Sequence, residues 1–308
     1  MNRLNAQASG VFVIAVTPFH PDGQIDMESC DRMVDFYLEA GATGLTVLGM
    51  MGEAPKLTPE ESQDVVARIL ARVAGRVPVV VGVSAPGFAQ IKALSDVVMA
   101  LGAAAVMVAP PSGLRTDDQI LTYYTQVAEL IGDVPFVLQD FPLATGVQIA
   151  PKVIAEIVNT LPTCVCLKHE DWPGLEKISY LRKEGVLDRR LSILCGNGGL
   201  FLPEEMARGV DGAMTGFAYP EMMVSVVTYY ITGNPERAQD IFDAYLPLAR
   251  FEQQPGLGLA IRKYTLAQRG IIAHDTLRKP GATLSEASRA EVDWLIARQE
   301  RRLAALGR

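Results

Sequence analysis

Lys168 closes the apolar run Thr163-Cys164-Val165-Cys166-Leu167. A primary amine at the mouth of a buried strand suits covalent chemistry on a carbonyl. Desolvation disfavours the ammonium and leaves more free amine to attack a ketone. Taken alone, the position fits a solvated residue that merely ends a strand at least as well. Other groups gather at comparable places. Gln139-Asp140-Phe141-Pro142 ends a second apolar run, Gly49-Met50-Met51-Gly52-Glu53 a third, Gly196-Asn197-Gly198-Gly199 a fourth and Thr215-Gly216 a fifth. Asp140 and Glu170 are carboxylates flanking the lysine, each a candidate acid/base or only a salt-bridge partner. Alternation along a strand turns His169 away from Lys168 and brings Glu170 back.

The elements that must position these groups are short apolar runs at residues 11–16, 44–48, 77–83, 104–109, 136–139, 165–168, 192–195 and 212–215. Amphipathic stretches lie between them, among them 27–40, 59–73, 89–101 and 116–131. Thr58-Pro59-Glu60-Glu61 places a capping hydroxyl, a proline and two acids at a helix start, and Thr116-Asp117-Asp118 opens another. Strands buried on both faces and joined by helices predict a parallel sheet. Eight such units predict an α/β fold of the (β/α)8 TIM-barrel type, with a doubly wound open sheet as the alternative. In a barrel, the groups named above all fall at the C-terminal strand ends, where such folds build their sites. After Pro220 the pattern is helical only, at 222–231, 235–251, 257–268 and 285–306. The expected organisation is a barrel over residues 1–232 and a C-terminal helical bundle over 233–308 packed on it.

Composition narrows the classes. The chain has 308 residues, 49% of them hydrophobic, and a net charge of −7 with its basic residues scattered. A nucleic-acid partner would favour a basic stripe, so none is expected. Cys30, Cys164, Cys166 and Cys195 form no C-x-x-C, and His20, His169 and His274 are far apart. No disulfide framework, metal site or cofactor is expected, and a reducing compartment fits. Cys164 and Cys166, two apart in one strand, are expected on the same face. Residues 97–114 carry no charge, but Gly102, Pro110, Pro111 and Gly113 interrupt them, so no membrane span is expected. Without the plan of a signal peptide at its start, the chain reads as cytoplasmic.

The order and spacing of the motifs resemble the dihydrodipicolinate synthase/N-acetylneuraminate lyase family over essentially the whole chain. The matching features are Val16-Thr17-Pro18-Phe19, the Gly-x-x-Gly-Glu loop at 49–53, Leu167-Lys168, Gly196-Asn197-Gly198 and Gly212-Ala213-Met214-Thr215-Gly216. The resemblance implies a barrel with a helical extension, a homo-oligomer (tetramer or dimer), and an imine between Lys168 and a substrate ketone. Three departures bear on function. Met50 and Met51 stand where pyruvate-binding members carry two hydroxyl residues. Gln139 stands where the relay tyrosine opens Tyr-Asn-x-Pro, and Pro111-Ser112 replace a tyrosine pair. Glutamine has no proton to exchange near neutral pH. The Gln-Asp-x-Pro and Ala-Met-Thr-Gly pairing looks more like the branch containing 2-keto-3-deoxyarabonate dehydratase.

These readings converge on a Schiff-base-forming lyase of a small-molecule 2-oxo acid, foremost a 2-keto-3-deoxy sugar acid dehydratase. Lys168 and Gln139 are the expected catalytic pair, and Gly49, Met50, Met51, Gly196 and Thr215 the expected substrate contacts. Met50 and Met51 suit an apolar pocket wall, Glu53 a helix cap. Thr215 is either a ligand contact or a core hydroxyl. A pyruvate-dependent aldolase or synthase-like enzyme is the first alternative. A non-catalytic barrel that binds an oxo acid is the second, motivated by the loss of both loop hydroxyls and the tyrosine.

Overall fold

The computed structural model describes residues 3–172 and 174–307. Eight parallel strands close in sequence order: β1 (Gly10–Ile14), β2 (Gly44–Val47), β3 (Val79–Gly82), β4 (Ala105–Val108), β5 (Phe136–Asp140), β6 (Cys164–His169), β7 (Ser192–Cys195) and β8 (Gly212–Thr215). Pairing of β1 with both β2 and β8 excludes the open sheet. Each strand is short because a barrel strand need only cross one packed interior. That interior holds Phe12, Ile14, Val80, Met107, Val137, Cys166, Leu194 and Met214.

Helices α1 (Met27–Glu39), α2 (Pro59–Val73), α3 (Phe88–Leu101), α4 (Asp117–Ile131), α5 (Pro142–Thr145), α6 (Pro151–Thr160), α7 (Leu175–Arg182), α8 (Leu202–Ala207) and α9 (Pro220–Ile231) connect and surround the strands. Both anticipated starts carry complete capping boxes: Thr58 with Glu61, and Thr116 with Gln119. The C-terminal helices are α10 (Pro235–Glu252), α11 (Gly258–Gln268) and α12 (Glu286–Ala305). The anticipated division at 232/233 falls in the turn between α9 and α10. One apolar core nevertheless runs through both sides of it, joining Met222 and Val226 to Phe242, Leu248 and Val292. Among the described residues no helix is long and apolar enough to cross a membrane.

One local expectation is corrected. Cys164 pairs with Phe136 while Cys166 pairs with Val137, so β6 carries an extra residue at Val165. That bulge breaks the alternation. Cys164 packs in the outer core and Cys166 inside the barrel. Beyond the bulge the alternation resumes, with Leu167 outward and Lys168 inward.

Candidate active site

The C-terminal ends of the strands surround a pocket that contains Lys168, Glu170, Gln139, Met50, Met51 and Thr215. Strand register brings the first two elements together: Gln139 on β5 lies beside Lys168 on β6. Glu170, just past the end of β6, turns back into the barrel, and its backbone N–H donates to the Asp140 carbonyl. Its Oε2 accepts from Gln139 Nε2 at 2.7 Å and lies 3.0 Å from Lys168 Nζ. All three side chains are buried. One carboxylate oxygen is therefore shared by the amine and the amide.

Gly196 makes that arrangement possible. A Cβ there would lie 2.1 Å from Glu170 Cγ, so only glycine leaves the carboxylate its place. Asn197 Nδ2 donates to the Glu170 carbonyl at 3.0 Å and holds the same segment from the far side. Thr215 lines the pocket and its Oγ1 accepts from the Gly198 N–H at 2.8 Å, which fixes the loop after β7 to the end of β8.

After β2 the chain makes a short 3-10 turn, Met50–Gly52. The N–H groups of Gly52 and Glu53 close the turn on Gly49 and Met50. Those of Met50 and Met51 head it, and the opening N–H groups of such a turn have no partner within it. Both methionine side chains line the pocket, and Met50 is 46% exposed. Gly49 sets the turn's start with extended backbone.

Of the two acids expected beside the lysine, Asp140 is placed elsewhere, and Glu53 does not take its expected role. Asp140 is fully buried on the outer face of β5, 2.7 Å from Lys177 of α7, and does not line the pocket. His169 accompanies it outward, with Nε2 3.0 Å from the Gly174 carbonyl. Glu53 does not cap a helix by its side chain. It is buried with left-handed backbone, and its carboxylate binds Lys263 at 2.6 Å, Lys56 at 2.7 Å and the Arg278 N–H at 3.1 Å. Burial pushes the Lys263 ammonium down to about 8, against the opposing pull of Glu53. The loop after β2 is thus tied to α11.

Residues that sequence reasoning missed come from the C-terminal helices. Arg262 of α11 and Gln253 at the end of α10 both reach the pocket. The available signal was weak: Glu252 and Arg262 are opposite charges ten positions apart, among several other charged residues of the same helical stretches. A larger cavity, about 440 Å³, opens at the opposite end of the barrel among Arg3, Ser9, Thr43 and Arg76. It lies at the N-terminal strand ends, where barrels carry stability rather than chemistry. Among the described residues no group of three or more His, Cys, Asp or Glu is placed to hold a metal ion.

Among the described residues that line the pocket, Lys168 is the one amine and Glu170 the one carboxylate. No tyrosine lines it. Tyr123 and Tyr124 are buried outside it and donate to the carbonyls of Ala109 and Val108.

Comparison with known proteins agrees with this architecture. Residues 7–299 match the Dihydrodipicolinate synthetase family. The chain is 30% identical over 287 residues to an L-2-keto-3-deoxyarabonate dehydratase of Azospirillum brasilense, with 92% of each chain covered. It is 31% identical over 293 residues to a 4-hydroxy-tetrahydrodipicolinate synthase of Chlorobium luteolum, covering 93% of this chain and 96% of that one. The crystal structure of a dihydrodipicolinate synthase from Rhodopseudomonas palustris superposes with a TM-score of 0.94 at 55% identity, covering 97% of this chain and all of the other.

Proposed function

The chain belongs to the dihydrodipicolinate synthetase family, a family of lyases, and we propose that it dehydrates a 2-keto-3-deoxy sugar acid through an imine on Lys168. The observation that carries this reading is the shared oxygen. A buried amine has a carboxylate 3.0 Å away, the one acidic side chain among the described residues that line the pocket.

Glu170 accepts the ammonium proton, and Lys168 Nζ then attacks the C2 ketone. Glu170 returns that proton to the former ketone oxygen, which leaves as water; the iminium forms and Glu170 is a carboxylate again. The iminium acidifies C3; Glu170 takes the C3 proton, and the C–H electrons become the enamine double bond. The enamine expels the C4 hydroxyl, which leaves as water with the proton returned by Glu170. Hydrolysis of the unsaturated iminium consumes one water and frees Lys168, so the net change is loss of one water. Gln139 holds the carboxylate against the amine, a task that needs no titrating group. The N–H groups of Met50 and Met51, which have no partner within the turn, suit the substrate carboxylate, and their side chains make that wall apolar.

The name of the Rhodopseudomonas relative favours a second reading, condensation of pyruvate with an aldehyde. The pocket's want of a tyrosine relay counts against it. Incubation with 2-keto-3-deoxypentonate separates the two. A product one water lighter supports dehydration, and released pyruvate supports the aldol reading. No turnover of this acid or of pyruvate with aldehydes favours an oxo-acid-binding barrel without catalysis.

A further inference from the structure

We propose that Arg262 and Gln253 form the subsite that receives the oxygen-bearing tail of the substrate, the carbons beyond C3; this rests on the function proposed above. Arg262 is 1% exposed. Its Nε donates to Glu252 Oε1 at 2.6 Å and its Nη2 to the Gly216 carbonyl. Its Nη1 has no partner, although the guanidinium lines the pocket that holds Lys168. Glu252, buried completely, is itself fixed by the Ala218 N–H on its other oxygen, at 3.1 Å. The guanidinium is therefore clamped through two of its nitrogens, and the third is buried with no hydrogen-bond partner among the described residues.

Gly216 leaves that nitrogen its place: a Cβ there would lie 2.2 Å from Nη1. Gln253 repeats the pattern. Its Nε2 is buried without a partner, and it packs over Gly198, where a Cβ would lie 2.2 Å from the amide nitrogen. Leaving a buried donor unsatisfied is costly, most of all on a cation, and a ligand oxygen offsets that cost. Arginine offers donors only and keeps its charge at every working pH.

Position decides which part of the substrate this is. The two donors sit at the loops after β7 and β8, whereas the carboxylate turn follows β2 and the amine stands on β6. A 2-oxo acid with its carboxylate at the Met50–Gly52 turn and its ketone at Lys168 has only its tail left for Arg262. The tail must present acceptor oxygens, either hydroxyls or a second carboxylate. Pyruvate has no tail and makes no use of the subsite.

Two variants test this. Gln253→Leu removes one donor without burying a charge. Arg262→Met combined with Glu252→Gln removes both members of the ion pair, so no buried charge is stranded. The expected result is a loss of about tenfold or more in kcat/KM for 2-keto-3-deoxypentonate, the size of one charge-assisted hydrogen bond, carried by KM. Borohydride trapping of pyruvate on Lys168 keeps its wild-type concentration dependence, confining the loss to the tail-bearing acid. A five-carbon 2-oxo dicarboxylate run as competitor separates the tail chemistries: the ligand whose affinity falls further names the group bound. Equal losses for pyruvate and the tail-bearing acid, or no loss for either, overturn the subsite. Absence of any pyruvate adduct on wild-type Lys168 overturns the functional reading and the subsite with it.

Discussion

Lys168, Glu170 and Gln139 meet at one carboxylate oxygen, and each makes a separable prediction. Lys168→Ala should abolish turnover and borohydride labelling while circular dichroism stays native; residual turnover would rule out the imine. Glu170→Gln keeps the shape and removes the proton carrier. Its kcat should fall by about 10² to 10⁴ with little change in KM; a wild-type kcat would remove Glu170 from proton transfer. The lysine's place in the pocket was legible in the sequence because an amine is chemically odd at the end of an apolar strand. Alternation also anticipated the return of Glu170 toward it. The same reasoning could not separate Asp140 from Glu170, since both flank the lysine. Only the pairing of Asp140 with Lys177, from a different element, takes it out of the pocket.

At the scale of elements, the strands and the two helix starts were legible almost to the residue, because apolar runs and a threonine followed by acids are local signals. The bulge in β6 was not, since an extra residue shows only in the pairing with β5. It matters for the site: without the extra residue at Val165, Cys164 and Cys166 would share a face. Gly196 is the other determinant written at this scale. Gly196→Ala places a methyl 2.1 Å from Glu170 Cγ. We expect kcat to drop toward the Glu170→Gln value, with about 1–3 kcal/mol of overpacking cost in urea unfolding. A kcat equal to wild type would mean that the glycine does not set the carboxylate.

Across the whole molecule, the C-terminal helices act as part of the site rather than as an appendage. Glu252 with Arg262 joins α10 to α11, while Glu53 with Lys263 and Glu61 with Arg278 tie the C-terminal part to the barrel. These contacts span up to 217 residues of sequence, which is why helical periodicity found the helices but not what they hold. The last of these pairs predicts a pH dependence. The Arg278 guanidinium holds the Glu61 carboxyl down to about 2, below its ordinary 4.5. Its stabilisation is complete above about pH 4.5 and is lost as pH falls through about 2. The urea-midpoint difference between wild type and Glu61→Gln should therefore be constant near neutrality and shrink on acidification; a difference that grew in acid would refute the assignment. Sedimentation should give a dimer or tetramer of the 33.3 kDa chain, and a monomer would remove the expected homo-oligomer. The most direct test of the central claim is borohydride reduction with pyruvate or 2-keto-3-deoxypentonate, followed by intact and peptide mass analysis. An imine on Lys168 requires one reduced adduct per chain, on that residue. Adducts on other lysines, or none with either acid, would contradict it.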